Sequence, residues 1–192
     1  MMEIVGLEVH VERCSQPEVY GQIKRWVLTH HSVRLLFVGT GKYRPSCKQL
    51  NALAKISPIG LHTHLAFFSI KDQIEHFRKI KESFAKKAEI LTDIMDSKTY
   101  EYQYAKIKTG LDYFNDCGLK NITHFTAGNF CFNKDTIKAC HLLGLTNFHW
   151  TIYPNWSNKT KDRIKNLVTW GKNTYKDMEF IYVKAWVHDR SL

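Results

Sequence analysis

The run Val33-Arg34-Leu35-Leu36-Phe37-Val38 is almost wholly apolar and ends at Gly39. Such a run suits a strand covered on both faces, as in the interior of a parallel sheet. A parallel strand cannot return through a tight turn; it needs a crossover of a dozen or more residues, usually a helix. The rest of the chain supplies that alternation. Residues 3–12 alternate apolar and polar side chains, with Ile4, Val9 and Val11 among the apolar ones, and predict a first strand. Ser15 opens a helix: Pro17 suits its first turn, Ser15 and Glu18 have capping-box spacing, and Val19, Ile23, Trp26 and Val27 give an apolar face.

After residues 33–38 come a loop with Gly39, Gly41 and Pro45 and a short helix from Ser46 or Cys47 to Lys55. Ile59 to His64 predicts a third strand. A long helix follows with Ile74, Phe77, Ile80, Phe84, Ala88 and Leu91 on one stripe. A second helix carries Tyr100, Tyr104, Ile107, Leu111 and Phe114 at steps of three and four, and Gly118 stands at its expected cap. Residues 121–126 predict a strand. Asn133 to Leu143 predicts a helix with Asn133 as N-cap and Gly144 as stop. Strands are expected near 147–152 and over 179–187, while 154–176 shows no decisive period. This order predicts one α/β domain over residues 1–192 with largely parallel strands. It fits an open doubly wound sheet or a (β/α) barrel, and 192 residues is short for a full eight-fold barrel of ~250.

Composition narrows the classes of function. Hydrophobic residues at 44% and charged residues at 24% exclude global disorder. No apolar run approaches the ~20 residues of a membrane span, so no membrane role is expected. No basic segment followed by an apolar block opens the chain, so the expected location is cytoplasmic. Five cysteines at irregular spacing, without a Cys-x-x-Cys pair, predict buried thiols rather than a zinc ribbon or a disulfide scaffold. Asn121, Asn155 and Asn158 head glycosylation-type triplets, which carry weight only in a secreted chain. The net charge of +10 is spread along the chain, which favours a solvated basic surface over nucleic-acid binding.

In an α/β fold of this kind the reactive groups lie at the carboxyl ends of the strands. His10, His62, His64 and His188 all fall within two or three residues of a predicted strand end. His62 and His64 stand at i and i+2 of one strand, so both imidazoles can converge on one metal ion while Thr63 faces away. Glu8, His10 and Glu12 share one face of the first strand, and a carboxylate there would complete a two-histidine, one-carboxylate centre. Gly39-Thr40-Gly41-Lys42 is not a phosphate loop: no glycine lies five residues before Gly41, and Tyr43 stands where Ser or Thr is required. His76 and His141 fall inside helices, where structural roles are expected. Trp150 and Trp156 have the shape to stack on a sugar ring or to pack in the core.

Three segments resemble the motifs of polysaccharide deacetylases. Ile59-Gly60-Leu61-His62-Thr63-His64-Leu65 resembles the family's metal-binding strand. Phe125-Thr126-Ala127-Gly128-Asn129-Phe130, followed by Asn133, Thr136 and Leu143-Gly144-Leu145, resembles its Phe-Arg-Ala-Gly segment and the next helix. Ala185-Trp186-Val187-His188-Asp189 resembles the strand that ends in its general-acid histidine. The resemblance implies a distorted, incomplete (β/α) barrel that hydrolyses an N-acetyl group on a sugar, usually with zinc. In the family, metal-activated water attacks the acetyl carbonyl, a carboxylate takes its proton, and a histidine protonates the leaving amine. It implies His62 as metal ligand, His188 as general acid, and Glu12 where the family has two adjacent aspartates. The chain departs from the pattern in three places. Arg13 follows Glu12, Ala66 stands where a second histidine is usual, and Thr126 replaces an arginine.

The expectation is therefore a divergent, metal-dependent hydrolase of a C–N amide bond, with a carbohydrate or small N-acetylated substrate and Zn2+ as the cofactor. Glu12, His62 and His64 are the expected metal ligands, and Glu12 and His188 the catalytic pair. Thr126, Asn129 and Trp150 are candidate substrate contacts, with His10 and Asp189 as further candidates. A metal-dependent barrel hydrolase of phosphoesters or cyclic amides, and a binding module without catalysis, are the alternatives.

Overall fold

The computed structural model describes residues 7–29, 33–41, 43–66 and 84–188. Seven strands form one sheet in the order β6-β5-β4-β3-β2-β1-β7, and every pairing is parallel. They are β1 (Leu7–Val11), β2 (Val33–Gly39), β3 (Ile59–Thr63), β4 (His124–Ala127), β5 (Asn147–Trp150), β6 (Glu179–Tyr182) and β7 (Trp186–His188). The helices are α1 (Pro17–Thr29), α2 (Cys47–Ala54), α3 (Phe84–Ile94), α4 (Tyr100–Asp116), α5 (Lys134–Leu142) and α6 (Asn158–Thr174). Strands β1 to β6 follow one another in space as in sequence. A doubly wound sheet reverses its strand order partway, and this one does not.

The sheet is strongly curled. Four strand spacings of about 4.8 Å would put β1 roughly 19 Å from β5 in a flat sheet. Yet His149 Nδ1 on β5 lies 2.5 Å from Glu8 Oε1 on β1. Only a sheet wrapped on itself allows that contact, so the inner face is a barrel interior.

The last two strands explain how the barrel closes. β6 pairs with β5 and β7 pairs with β1, and only residues 183–185 separate them. Three residues are far too few for a parallel crossover. Residues 179–188 are therefore one passage, bent at Lys184, that changes partner. Val183 N–H still donates to Trp150 O on the β5 side, while Ala185 O already accepts from Glu8 N–H on the β1 side. The single strand expected over 179–187 is this passage.

The outer face carries the apolar layer. Phe125, Phe132, Phe148 and Phe180 pack with ring centroids 4.9 to 5.6 Å apart. Leu36, Val38, Leu61 and Ile107 are fully buried in the same core. The expected caps of α5 are present: Asn133 accepts from Thr136 N–H, and Gly144 follows with φ +75°. Ile74, Phe77 and Ile80 of the expected long helix lie outside the described residues, as does His76; its end is α3. The undecided segment 154–176 contains α6. Its buried stripe is Thr160, Ile164, Val168 and Gly171, and two of those four do not register as apolar in a periodicity reading. Gly171 is required: a Cβ there would lie 2.4 Å from Phe180 Cζ.

The cysteine expectation is corrected in part. Cys14, Cys131 and Cys140 are buried thiols, but Cys47 and Cys117 form a disulfide between the start of α2 and the end of α4. Disulfides belong to oxidising compartments, so the cysteines give no argument for a reducing one. Asn51 Nδ2 donates to Cys117 O at 2.8 Å, and the Tyr113 hydroxyl donates to Pro45 O in the loop before α2, so three ties join this segment to the end of α4. No helix among the described residues is long and apolar enough to cross a membrane.

The start of α6 is held by another helix. Glu89 of α3 is 7% exposed, and its Oε1 accepts from Ser157 N–H, the Ser157 hydroxyl and the Thr160 hydroxyl. Lys86 donates to Oε2 at 3.1 Å. The Ser157 and Thr160 hydroxyls bring Glu89 from its ordinary 4.5 down to about 2. A carboxylate at a helix N-terminus is also favoured by the helix dipole.

Two outcomes follow. Closing a loop with a sequence separation of 70 is worth about 4 kcal/mol on the chain-entropy account, so reduction, or Cys47→Ser with Cys117→Ser, lowers denaturant stability by up to that amount. The folded value of Glu89 is depressed, so its stabilisation is complete above pH 4.5 and is lost as pH falls towards 2. Glu89→Gln therefore lowers the melting temperature at pH 7, and the difference from wild type shrinks over that acid window.

A candidate metal centre at the carboxyl end of the barrel

Strand parity places the polar groups. Val9, Val11, Leu36, Val38, Leu61, Phe125 and Phe148 turn outward, so their neighbours turn in. The inward positions are Glu8 and His10 on β1, Phe37 on β2, Gly60 and His62 on β3, His124 and Thr126 on β4, and His149 on β5. Glu12 follows the end of β1 and His64 the end of β3, both at the carboxyl end. Gly39 pairs with His62 in the β2–β3 ladder and has no side chain to separate His62 from Glu12.

Glu12, His62 and His64 meet there. His62 Nε2 lies 3.2 Å from Glu12 Oε1 and 3.2 Å from His64 Nε2, and His64 Nε2 lies 2.7 Å from Glu12 Oε1. Three ligands at 2.0–2.1 Å from a tetrahedral zinc ion stand about 3.3 Å apart, so this triangle is close to the size a divalent ion requires. Glu12 and His62 are buried and His64 is half-buried, and the group could hold such an ion. Burial, reinforced by His10 and His64, pushes His62 down to about 3 against the pull of Glu12. A neutral imidazole is the form that binds metal. His62 Nδ1 is buried without a hydrogen-bond partner among the described residues, so the outer-shell acceptor usual for a ligating histidine is missing here.

Gly128 seats His64. A Cβ at Gly128 would stand 2.3 Å from His64 Nδ1, closer than any real contact. The chain then passes through two left-handed residues, Asn129 (φ 55°) and Phe130 (φ 53°). That turn drives Phe130 into a wall around His10. His10 has ring centroids 4.9 Å from His62, 5.3 Å from Phe130 and 5.3 Å from Trp186. Tyr153 packs on Phe130, Trp156 and Trp186. Burial, with Cys131 and Glu12 near it, pushes the Tyr153 phenol well up, so it is protonated across the physiological range.

The structure thus brings together the three expected metal ligands and sets His10 against them. Thr126 is fully buried and pairs with His62 in the β3–β4 ladder, and its hydroxyl has no hydrogen-bond partner among the described residues. Asn129 occupies the strained turn. Trp150 is not brought to the cluster: it lies on the outward parity opposite His149, its ring 5.0 Å from Tyr182. His188 pairs with His10 in the β1–β7 ladder. Asp189 lies outside the described residues. Ala66 is buried, and position 64 rather than 66 supplies the second histidine. His141 pairs with Asp177 and stacks on Tyr175, as expected of a structural residue.

The sequence reading missed two features: the wall of Phe130, Tyr153 and Trp186, and the inward pair His124 and His149. Both histidines share the strand parity of Thr126, and that was the available signal.

Fold and site together define a curled, parallel α/β half-barrel with a candidate two-histidine, one-carboxylate metal centre at its carboxyl end. No family model matches the chain, and no curated protein matches it. Among solved structures the chain is similar to that of KGPDC from Streptococcus mutans, at 12% identity over 91% of this chain and 86% of that one, with a TM-score of 0.39. A likeness of that size carries no inference for this chain.

Gly128→Ala tests the seat of His64. The variant is expected to stay folded by circular dichroism while losing at least tenfold in affinity for Zn2+, the scale on which disturbed supporting contacts act.

Proposed function

We propose that this chain is a metal-dependent hydrolase of the deacetylase type, removing an N-acyl group from a carbohydrate or a small amide. The observation that carries the reading is the Glu12–His62–His64 triangle, with its metal-ligand spacing, at the catalytic end of a parallel barrel. The three segments that resemble polysaccharide deacetylases support the same reading.

A bound divalent ion supplies Lewis acidity, polarising a carbonyl and lowering the pKa of a water molecule. His62, His64 and Glu12 would hold the ion, and the Glu12 carboxylate is the proton acceptor in this reading, since the pattern's adjacent acid is Arg13. His188, at the end of β7 in register with His10, protonates the leaving amine. Phe130, Tyr153 and Trp186 exclude water from the inner side. Thr126 stands where an arginine would orient charge, and this substitution favours a second reading: a binding module that keeps the fold and lacks turnover.

Elemental analysis of purified protein is expected to find one divalent ion per chain more than in the His62→Ala, His64→Ala double variant. Acetate release from N-acetylglucosamine oligomers is expected to fall by about 10²–10⁴ in Glu12→Gln, the usual weight of a general base. A bound metal without acetate release would move the assignment to phosphoester or cyclic-amide substrates. Failure to take up metal would leave the binding module.

A further inference from the structure

A second set of metal-competent side chains lies inside the barrel, away from the Glu12–His62–His64 triangle. His149 Nδ1 donates to Glu8 Oε1 at 2.5 Å, with Glu8 5% and His149 2% exposed. A carboxylate acceptor at Nδ1 fixes the tautomer and leaves the lone pair on Nε2. That nitrogen lies 2.9 Å from His124 Nδ1. The arrangement is carboxylate, oriented imidazole, then a second imidazole nitrogen. It is the outer-shell order seen at zinc sites, with the ion's place between the two rings.

Spacing and charge support an ion there. Two nitrogens bound at about 2.1 Å to one ion stand about 3.0 Å apart at a right angle and about 3.3 Å apart in a tetrahedron. Glu8 Oε2 is buried without a hydrogen-bond partner among the described residues, with His10 Nε2 3.9 Å away. A buried carboxylate needs a counter-charge, and a cation held by its own imidazole partner provides one.

The register brings one more carboxylate, Glu179, to the same end of the sheet. His124 pairs with Asn147 on β5, and Asn147 pairs with Glu179 on β6, all on the inward parity at the amino-terminal end of the sheet. Glu179 is exposed, so its carboxylate can swing without giving up packing.

We propose that His124 and His149 form a second divalent-metal site, with Glu8 orienting His149 and Glu179 as third ligand, at the end of the barrel opposite the candidate catalytic centre. Imidazole and carboxylate donors suit Zn2+ and its neighbours in the first transition row. On binding, the proton on His124 Nδ1 moves to Nε2, and the ion takes the freed lone pair. The amino-terminal face of a parallel barrel serves stability rather than catalysis, so the ion is structural: it ties β4, β5 and β6 together and, through Glu8, fastens them to β1.

The test uses the full chain carrying His62→Ala and His64→Ala, which removes the first centre. Zn2+ and Co2+ are titrated by equilibrium dialysis, and Co2+ is followed by its visible absorption. The expected result is one ion per chain, a melting temperature raised by Zn2+, and loss of both with a further His149→Ala. Should that variant fail to fold, His124→Ala at the half-buried end and Glu179→Gln at the rim report the same loss. Glu8→Gln is expected to weaken binding 10–100-fold, as outer-shell changes do. Absence of the ion in the double variant, or binding indifferent to His124→Ala, overturns the proposal. A wild-type chain that holds one ion, lost with His62 and His64, also overturns it and leaves the first centre standing; the two readings therefore fail separately.

Discussion

Glu8 and His149 sit on strands that three others separate, and they touch. That contact and the curl of the sheet imply each other. The curl needs the inner face filled, and side chains of modest size at Glu8, His10, Phe37, Thr126 and His149 fill it. Because most of these are polar, the interior must be satisfied internally, since unpaired buried polar groups destabilise a fold. The histidines serve this well: each ring packs like an aromatic and also carries a donor and an acceptor. His10 packs among Phe37, Phe130 and Trp186, with its Nε2 3.9 Å from a Glu8 oxygen, beyond hydrogen-bond distance.

The candidate metal centre is the upper end of the same interior. Two strands bring its donors, Gly39 leaves the space between them, and Gly128 leaves the space behind His64. Burial strips His62 of its charge and so keeps its lone pair available. A surface pair of histidines would keep ordinary titration and a freer geometry. Position in the barrel supplies both the spacing and the protonation state that coordination needs.

Much of this was legible from residue order. The strand cores at 33–38, 59–64 and 179–187 were readable because β-branched and aromatic runs bounded by glycine or polar turns have few other uses. His62 and His64 were legible because a two-residue step fixes a common face. Other features were not. α6 hid because Thr160 and Gly171 sit in its buried stripe. The Cys47–Cys117 bond depends on where α2 and α4 pack, which spacing does not reveal. Trp150 was left between two uses because a tryptophan at a strand end reads alike for a binding surface and for the apolar layer; its parity, opposite to that of His149, sets it beside Tyr182. The inward His124 and His149 carried the same parity clue, but a strand must first be registered against its neighbours before the clue can be used.

The closing strand has a kinetic meaning. Residues 179–182 seal one seam and residues 186–188 the other, so the barrel has no closed intermediate in which only one is made. Pairing Glu8 with Trp186 joins positions almost a chain length apart, and loops of that size are closed slowly. Until then β1 and β5 present open edges, and Glu8 and His149 face water rather than each other. During synthesis the earlier strands wait as an unsealed sheet with two pairing edges exposed to other chains.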